Sequence, residues 1–304
     1  MSTPALRGTV ALIGCGAMGA ALGQRLLARG WRLRVYNRSV GKTQPLSAAG
    51  ASVHDSPRSA IDGAHWVLSV LTDSAALRAV LMGPEGVLAA PARGRCLIDL
   101  GTHFPAELVP LAAEAASRGW PLVEAPVTGS VHDASHGTLN FLVGGAAADV
   151  AWARPMLEAL GRALFHLGPV GAGNTAKLAL NLLVGLMAGG LGEAIALLRA
   201  HGLDVARFLV ALDGSGLASP LYRRLGQRYL DGDHAPRFSL ANLEKDLGWA
   251  RRHAEASGLA PRLAPVLCDL LAQLPAEAKP LDYSALIHHL AARASVMAGV
   301  GSRE

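Results

Sequence analysis

The sequence predicts an α/β chain: a doubly wound, mainly parallel sheet over residues 1–168, then an all-helical domain over residues 169–304. Three observations carry that expectation. Short apolar runs alternate with helical patterns through the first half, the signature of βαβ units. A glycine-rich turn joins the first apolar run to the first helical pattern. Beyond Gly168-Pro169 the strand signals stop and helical patterns follow one another. The length of 304 residues fits two domains at about 100–200 residues each.

Taken in order, Thr9–Ile13 reads as a buried strand because it is a short, uninterrupted apolar run, and Ala17–Arg29 as the helix after it. Leu33–Tyr36, Trp66–Val70, Cys96–Asp99, Leu122–Ala125 and Asn140–Val143 read as further strands, with Pro105–Arg118 helical among them. The second half reads as helices over Asn174–His201, Val205–Leu212, Ser219–Leu230, Ser239–Ser257, Pro261–Leu274 and Tyr283–Met297. Gly214-Ser215-Gly216 follows no strand and does not fit G-x-S-x-G, so it reads as a helix–helix turn. A boundary near Gly168 predicts a cleft between the halves, a common place for ligands.

Composition narrows the function. With 51% hydrophobic and 17% charged residues, a disordered chain is excluded, because ample apolar surface offsets the entropy of ordering. The net charge is +5, yet the only lysines are Lys42, Lys177, Lys245 and Lys279, and the arginines are scattered. A nucleic-acid binder clusters its basic residues, so the charge reads as a pull toward anionic small molecules. Met1–Gly8 runs directly into the first strand, so no cleavable signal is expected. The uncharged stretch Leu178–Gly192 falls short of the roughly 18–20 residues that cross a bilayer and reads as a buried core helix, with no membrane partner. Three cysteines, odd in number and without a Cys-x-x-Cys pair, suit a reducing cytoplasm.

Gly14-Cys15-Gly16-Ala17-Met18-Gly19 fits G-x-G-x-x-G between strand and helix, the context that makes it a dinucleotide-binding, Rossmann-type turn. The first glycine permits the tight turn, the second lets main chain approach a pyrophosphate, and the third lets helix and strand pack closely. An NAD site usually carries Asp or Glu after the second strand to bind the ribose 2′-hydroxyl; here the chain reads Asn37-Arg38-Ser39, with Lys42 close behind. An arginine in that place accommodates the 2′-phosphate, so the expected cofactor is NADP(H).

Glu124-Ala125-Pro126-Val127-Thr128-Gly129-Ser130 ends a predicted strand and offers hydroxyls and main-chain N–H groups suited to a small oxyanion, although such a loop by itself is also an ordinary turn. Gly171-Ala172-Gly173-Asn174-Thr175-Ala176-Lys177 leads into the long helix, and Asn181 lies four residues on, sharing a face with Lys177. A desolvated lysine there suits general acid–base work; the bland alternative is a lysine snorkelling from a core helix. Lys245-Asp246, after Phe238, reads by pattern alone as a solvated helix turn.

Together these motifs, with Gly137-Thr138-Leu139 and Lys245-Asp246-Leu247, resemble the β-hydroxyacid dehydrogenase family from about Thr9 to Leu290. The resemblance implies a lysine acid/base at Lys177 with Asn181 orienting it, a substrate site of Thr128, Gly129, Ser130, Phe238, Lys245 and Asp246, and a cofactor site of Gly14, Cys15, Gly16, Ala17, Met18, Gly19, Asn37, Arg38, Ser39, Leu71, Thr102 and Lys245. It further implies NADPH-dependent reduction of a glyoxylate- or semialdehyde-like acid, or the reverse oxidation of a β-hydroxyacid, in a homodimer or dimer of dimers. Two departures bear on the substrate. The family's Asp-x-Ser-Thr is here Asp99-Leu100-Gly101-Thr102, followed by His103; and Thr128 replaces a serine, with His132-Asp133 where small residues or proline are common. These keep open two alternatives: reduction of imines or bulky ketones, and a non-catalytic NADP-binding scaffold or sensor.

His132 and His136 have ligand-like spacing but lie on a predicted loop without a companion cluster, so no metal is expected. Cys15 is expected to be an inert thiol beneath the cofactor. The helix Asn174–His201, read as buried on all sides, needs more cover than a domain of its size provides, which points to oligomerisation.

Overall fold

A computed structural model describes residues 7–298. Nine strands form one sheet: β1 (Arg7–Ile13), β2 (Trp31–Tyr36), β3 (Ser52–Val53), β4 (Trp66–Ser69), β5 (Leu97–Asp99), β6 (Leu122–Glu124), β7 (Val127–Thr128), β8 (Leu139–Gly144) and β9 (Gly161–Gly168). The order is β3-β2-β1-β4-β5-β6-β8-β7, with β9 on β8. The first six strands are parallel, β8 runs antiparallel to β6 and β7, and β9 lies parallel to β8. The 3-2-1-4-5-6 order is that of dinucleotide-binding sheets, whose ligands sit beyond the strands' carboxyl ends where the order reverses. Here that point lies between β1 and β4, and the glycine turn leaves it.

The sheet is held because its central strands are apolar on both faces. Val10, Leu12, Val35, Leu68 and Ile98 pack under the helix Ala17–Ala28, while Ala11, Ile13, Val67 and Leu97 pack under the helix Pro105–Ser117 on the other side. The division into compact units falls at Lys177/Leu178, inside the helix Ala172–Ala200, nine residues past the Gly168 boundary expected from the end of strand signals.

The second unit is all helix: the rest of Ala172–Ala200, then Val205–Asp213, Pro220–Asp231, Leu240–Ala256, Leu263–Ala272 and Ala285–Ala298. Ala188, Leu191 and Ile195 face its core, against Leu243, Leu247, Leu271 and Leu286. The 29-residue helix Ala172–Ala200 is, among the described residues, the one long and apolar enough to cross a membrane by length and composition. It is not buried on all sides, as the sequence suggested: Leu183 and Leu197 are 55% and 63% exposed.

Two further elements differ from expectation. β9 was not expected: its residues are partly buried or exposed, and its apolar run, Ala163-Leu164-Phe165, lies between Arg162 and His166. His132 and His136 lie on a helix, Val131–His136, rather than a loop; Ser130 and Asp133 close a reciprocal capping box at its start. Among the described residues no group of three or more His, Cys, Asp or Glu could hold a metal ion.

Candidate active site

The glycine turn is built almost wholly from main chain. A Cβ on Gly14 would stand 2.2 Å from the Val70 carbonyl oxygen, and Gly14 itself has φ +100°, a left-handed value that favours glycine. A Cβ on Gly19 would stand 2.0 Å from the Gly14 carbonyl oxygen, so helix and strand meet there without room for a side chain. Gly16 differs: nothing lies within 4 Å of its Cβ position, and no side chain caps the helix that starts at Ala17. Its first N–H groups and dipole end therefore face open space, a cradle that fits a pyrophosphate. Ala17 and Met18 line that same start.

Asn37 ties this turn to the segment after β2. Its Oδ1 accepts from the Cys15 N–H at 2.9 Å and its Nδ2 donates to the Ser39 carbonyl at 2.9 Å, so its side chain holds the loop rather than awaiting a ligand. Arg38 and Ser39 are left exposed, and Arg38 makes no ion pair with any described residue. Cys15 is buried, and burial pushes its thiol up to about 11, which keeps it protonated and inert near neutrality.

At the ends of β4, β5 and β6 the construction is the opposite, a chain of buried side chains. Ser69 Oγ donates to Asp99 Oδ1 at 2.6 Å, and Asp99 Oδ2 lies 2.7 Å from His103 Nε2. Gly101 explains the missing serine: a Cβ there would stand 2.4 Å from His103 Nε2 and 2.8 Å from the Leu71 carbonyl oxygen. The His103 ring fills the space a side chain at 101 would need. Thr102, between two buried neighbours, is the partly exposed residue of this turn, and Leu71 lies alongside.

The His103 main-chain N–H donates to Asn174 Oδ1 at 2.7 Å, and Asn174 Nδ2 donates to Glu124 Oε2. Glu124 also accepts the main-chain N–H groups of Gly171, Gly173 and Asn174, so a carboxylate from the end of β6 caps the start of the long helix. Burial pushes the Glu124 carboxyl up, and these four donors pull against that rise. Lys177, half-buried, follows Asn174 by three residues on the helix so fixed. Sequence reading left Ser69, Asp99, His103, Asn174 and Glu124 out of the site residues. The paired departure at Gly101 and His103 was the signal that could have found them.

The loop Thr128-Gly129-Ser130 is partly exposed, and the donors of Ser130 are engaged. Asp133 Oδ2 accepts both the Ser130 N–H and the Ser130 hydroxyl at 2.7 Å, and Asp133 Oδ1 accepts the Thr138 hydroxyl at 2.9 Å. Burial alone would raise the Asp133 carboxyl; the hydrogen bonds from Ser130 and Thr138, with His132 nearby, hold it below the ordinary range.

In the second unit, Asn181 is buried and its Nδ2 donates to Asp246 Oδ2 at 2.6 Å. Lys245 Nζ lies 3.2 Å from Asp246 Oδ1 and 4.2 Å from the centre of the Trp249 ring. These three expected residues thus form one connected group, where pattern alone read Lys245-Asp246 as a solvated turn. Phe238 lies edge-on to Tyr283 at 5.9 Å, with its main-chain N–H on Asp282 Oδ2.

Residues 9–168 match the family described as the NAD binding domain of 6-phosphogluconate dehydrogenase, and residues 171–290 the one described as NAD-binding of NADP-dependent 3-hydroxyisobutyrate dehydrogenase. The chain is 36% identical over 287 residues to a 3-hydroxyisobutyrate dehydrogenase of Pseudomonas aeruginosa, covering 91% of this chain and 96% of that one. It is 31% identical to glyoxylate/succinic semialdehyde reductase 1 of Arabidopsis thaliana, over 78% of this chain and 82% of that one. Among solved structures, the 3-hydroxyisobutyrate dehydrogenase of Mycobacterium tuberculosis with L-serine matches with a TM-score of 0.85 at 29% identity, over 93% of this chain and 99% of that one.

Proposed function

The chain belongs to the β-hydroxyacid dehydrogenase family, oxidoreductases acting on CH–OH and carbonyl groups, and from that premise we propose that it interconverts a small β-hydroxyacid or semialdehyde-type substrate and its carbonyl or hydroxyl partner with NADP(H). The observation that carries the coenzyme choice is the segment after β2: no carboxylate stands there, Asn37 is engaged by the loop, and Arg38 and Ser39 are left exposed for a 2′-phosphate. Bound at the glycine turn, a nicotinamide dinucleotide supplies or accepts the hydride.

Lys177 serves as the acid/base: in reduction its ammonium gives a proton to the carbonyl oxygen as negative charge develops there. Asn181 orients the reacting groups, Lys245 contacts cofactor or substrate, and Thr128, Gly129 and Ser130 hold the substrate's polar end. Glu124 and Asn174 fix the helix turn from which Lys177 projects. We further propose a cytoplasmic homodimer or dimer of dimers, supported by the apolar Leu180, Leu183 and Leu197 that the long helix leaves exposed, and read that helix as a core element rather than a membrane span. Light scattering reporting a monomer at micromolar concentration would remove the dimer.

A second reading, reduction of an imine, is favoured by one observation, the commitment of Ser130's donors to Asp133. Glyoxylate, succinic semialdehyde and a cyclic imine, each assayed with NADPH and NADH, separate the two. Turnover of either aldehyde acid with NADPH supports the first reading; turnover of the imine alone supports the second.

A further inference from the structure

The contacts around Asn181 fix which end of its amide is turned inward. Asp246 is 1% exposed and Asn181 4%, and they meet through Asn181 Nδ2 and Asp246 Oδ2 at 2.6 Å. The second oxygen, Asp246 Oδ1, lies 3.2 Å from Lys245 Nζ, and that ammonium sits 4.2 Å from the centre of the Trp249 ring. A buried carboxylate is tolerated when it is paired and hydrogen-bonded in this way, and an ionised carboxylate only accepts. Asn181 must therefore turn its N–H₂ end to Asp246, which makes its oxygen the outer arm of the amide.

Asp246 has almost no surface to offer a substrate, although the resemblance places it among the substrate-binding residues. Its contacts are with Asn181 and Lys245, so it acts through them. Asn181 follows Lys177 by four residues along the helix Ala172–Ala200, on the same helix face. An amide oxygen at that place accepts from an ammonium, whereas an N–H₂ would oppose it.

We propose that Asp246 is a positioning residue: it orients the Asn181 amide so that its oxygen accepts a hydrogen bond from the Lys177 ammonium. The proposal rests on the reading of Lys177 as the acid/base, and it adds the polarity of Asn181, which works by accepting and not by donating. With one N–H of the ammonium on Asn181, another is directed to the carbonyl oxygen that takes the proton.

The test reverses the pair. Single-turnover hydride transfer from NADPH is followed with glyoxylate and succinic semialdehyde, and NADPH Kd and Tm are measured on each preparation. Asn181→Asp alone sets two carboxylates against each other in a buried place, and transfer is expected to fall about 100-fold. In Asn181→Asp/Asp246→Asn amide and carboxylate change places, the hydrogen bond runs the other way, and an acceptor oxygen remains at position 181. Transfer is expected to recover to within about tenfold of wild type. A second double variant, Asn181→Leu/Asp246→Leu, keeps the site filled with apolar side chains but has no acceptor, and stays about 100-fold slow or worse.

A reversed pair as slow as Asn181→Asp alone, folded and with NADPH bound, shows that the N–H₂ group is needed and overturns the proposal while leaving Lys177 its role. Transfer near the wild-type rate in the apolar pair reduces the contact to packing and also overturns it. If the reversed pair does not fold, Asp246→Ala carries the test: transfer about tenfold slower at an unchanged NADPH Kd supports the proposal, and transfer within twofold of wild type overturns it. Wild type that binds NADPH and reduces neither aldehyde overturns the reading of the reaction and this proposal with it.

Discussion

The turn after β1 and the turn after β5 close neighbouring parts of one sheet, and they are built on opposite principles. The first is main chain against main chain: Gly14 and Gly19 are close-packed against carbonyl oxygens, and Gly16 faces open space. The second is built mainly from buried side chains: Ser69 meets Asp99 and Asp99 meets His103, the His103 main-chain N–H meets Asn174, and Asn174 meets Glu124 at the start of the helix that carries Lys177. Such a main-chain turn tolerates no Cβ at its two packing glycines, Gly14 and Gly19, but has room for one at Gly16. A side-chain relay tolerates a Cβ only where no ring already fills the space, and it fails when a single polar partner is lost. The two turns should therefore break in different ways.

Gly19→Ala should show the largest effect. Its Cβ would meet main chain at 2.0 Å, which nothing flexible relieves, so loss of soluble folded protein is expected by circular dichroism. Gly16→Ala, three residues earlier, should keep its melting temperature within a few degrees yet weaken dinucleotide binding by about tenfold or more in a fluorescence titration. Equal melting losses in the two variants would erase the distinction between packing glycine and ligand glycine.

Next in size is Glu124→Gln. It turns an amide N–H₂ toward N–H donors in a buried place, leaving donors unsatisfied at a cost of roughly 2–4 kcal/mol by denaturant unfolding. Gly101→Ser should cost about 1–3 kcal/mol because its side chain overlaps His103, and adding His103→Ala should restore part of that loss. Strict additivity of the two would show that the ring and the glycine are not coupled. The smallest effect is at the exposed rim: Arg38→Ala should raise the KM for NADPH about tenfold and leave that for NADH within twofold. Equal effects on both coenzymes would remove the 2′-phosphate contact.

The same contrast governs what the sequence discloses. The glycine turn was legible because each of its requirements is met by one residue type at a fixed offset, within one strand–turn–helix unit. The central parallel strands β4, β5 and β6 were legible for a similar reason, being short, largely buried apolar runs, whereas the exposed parallel strand β3 was not. The connected group was not, since apart from the Asp99–His103 pair its contacts join residues 30 to 71 positions apart and each alone is an ordinary polar residue. β9 escaped because its short apolar run lies between Arg162 and His166, and the helix Ala147–Leu160 because Pro155 interrupts its pattern. Ser130 was recognised as part of the loop, but its commitment to Asp133 depends on a helix turn too short for its own periodic signal.

The central claim is that Lys177, projecting from a helix start fixed by Glu124 and Asn174, is the acid/base of the reaction. The most direct measurement is single-turnover hydride transfer from NADPH in Lys177→Ala, with coenzyme affinity determined on the same preparation. A fall of about 10²–10⁴-fold in the rate with the NADPH Kd unchanged is the predicted result. Near wild-type transfer at an unchanged Kd would contradict it.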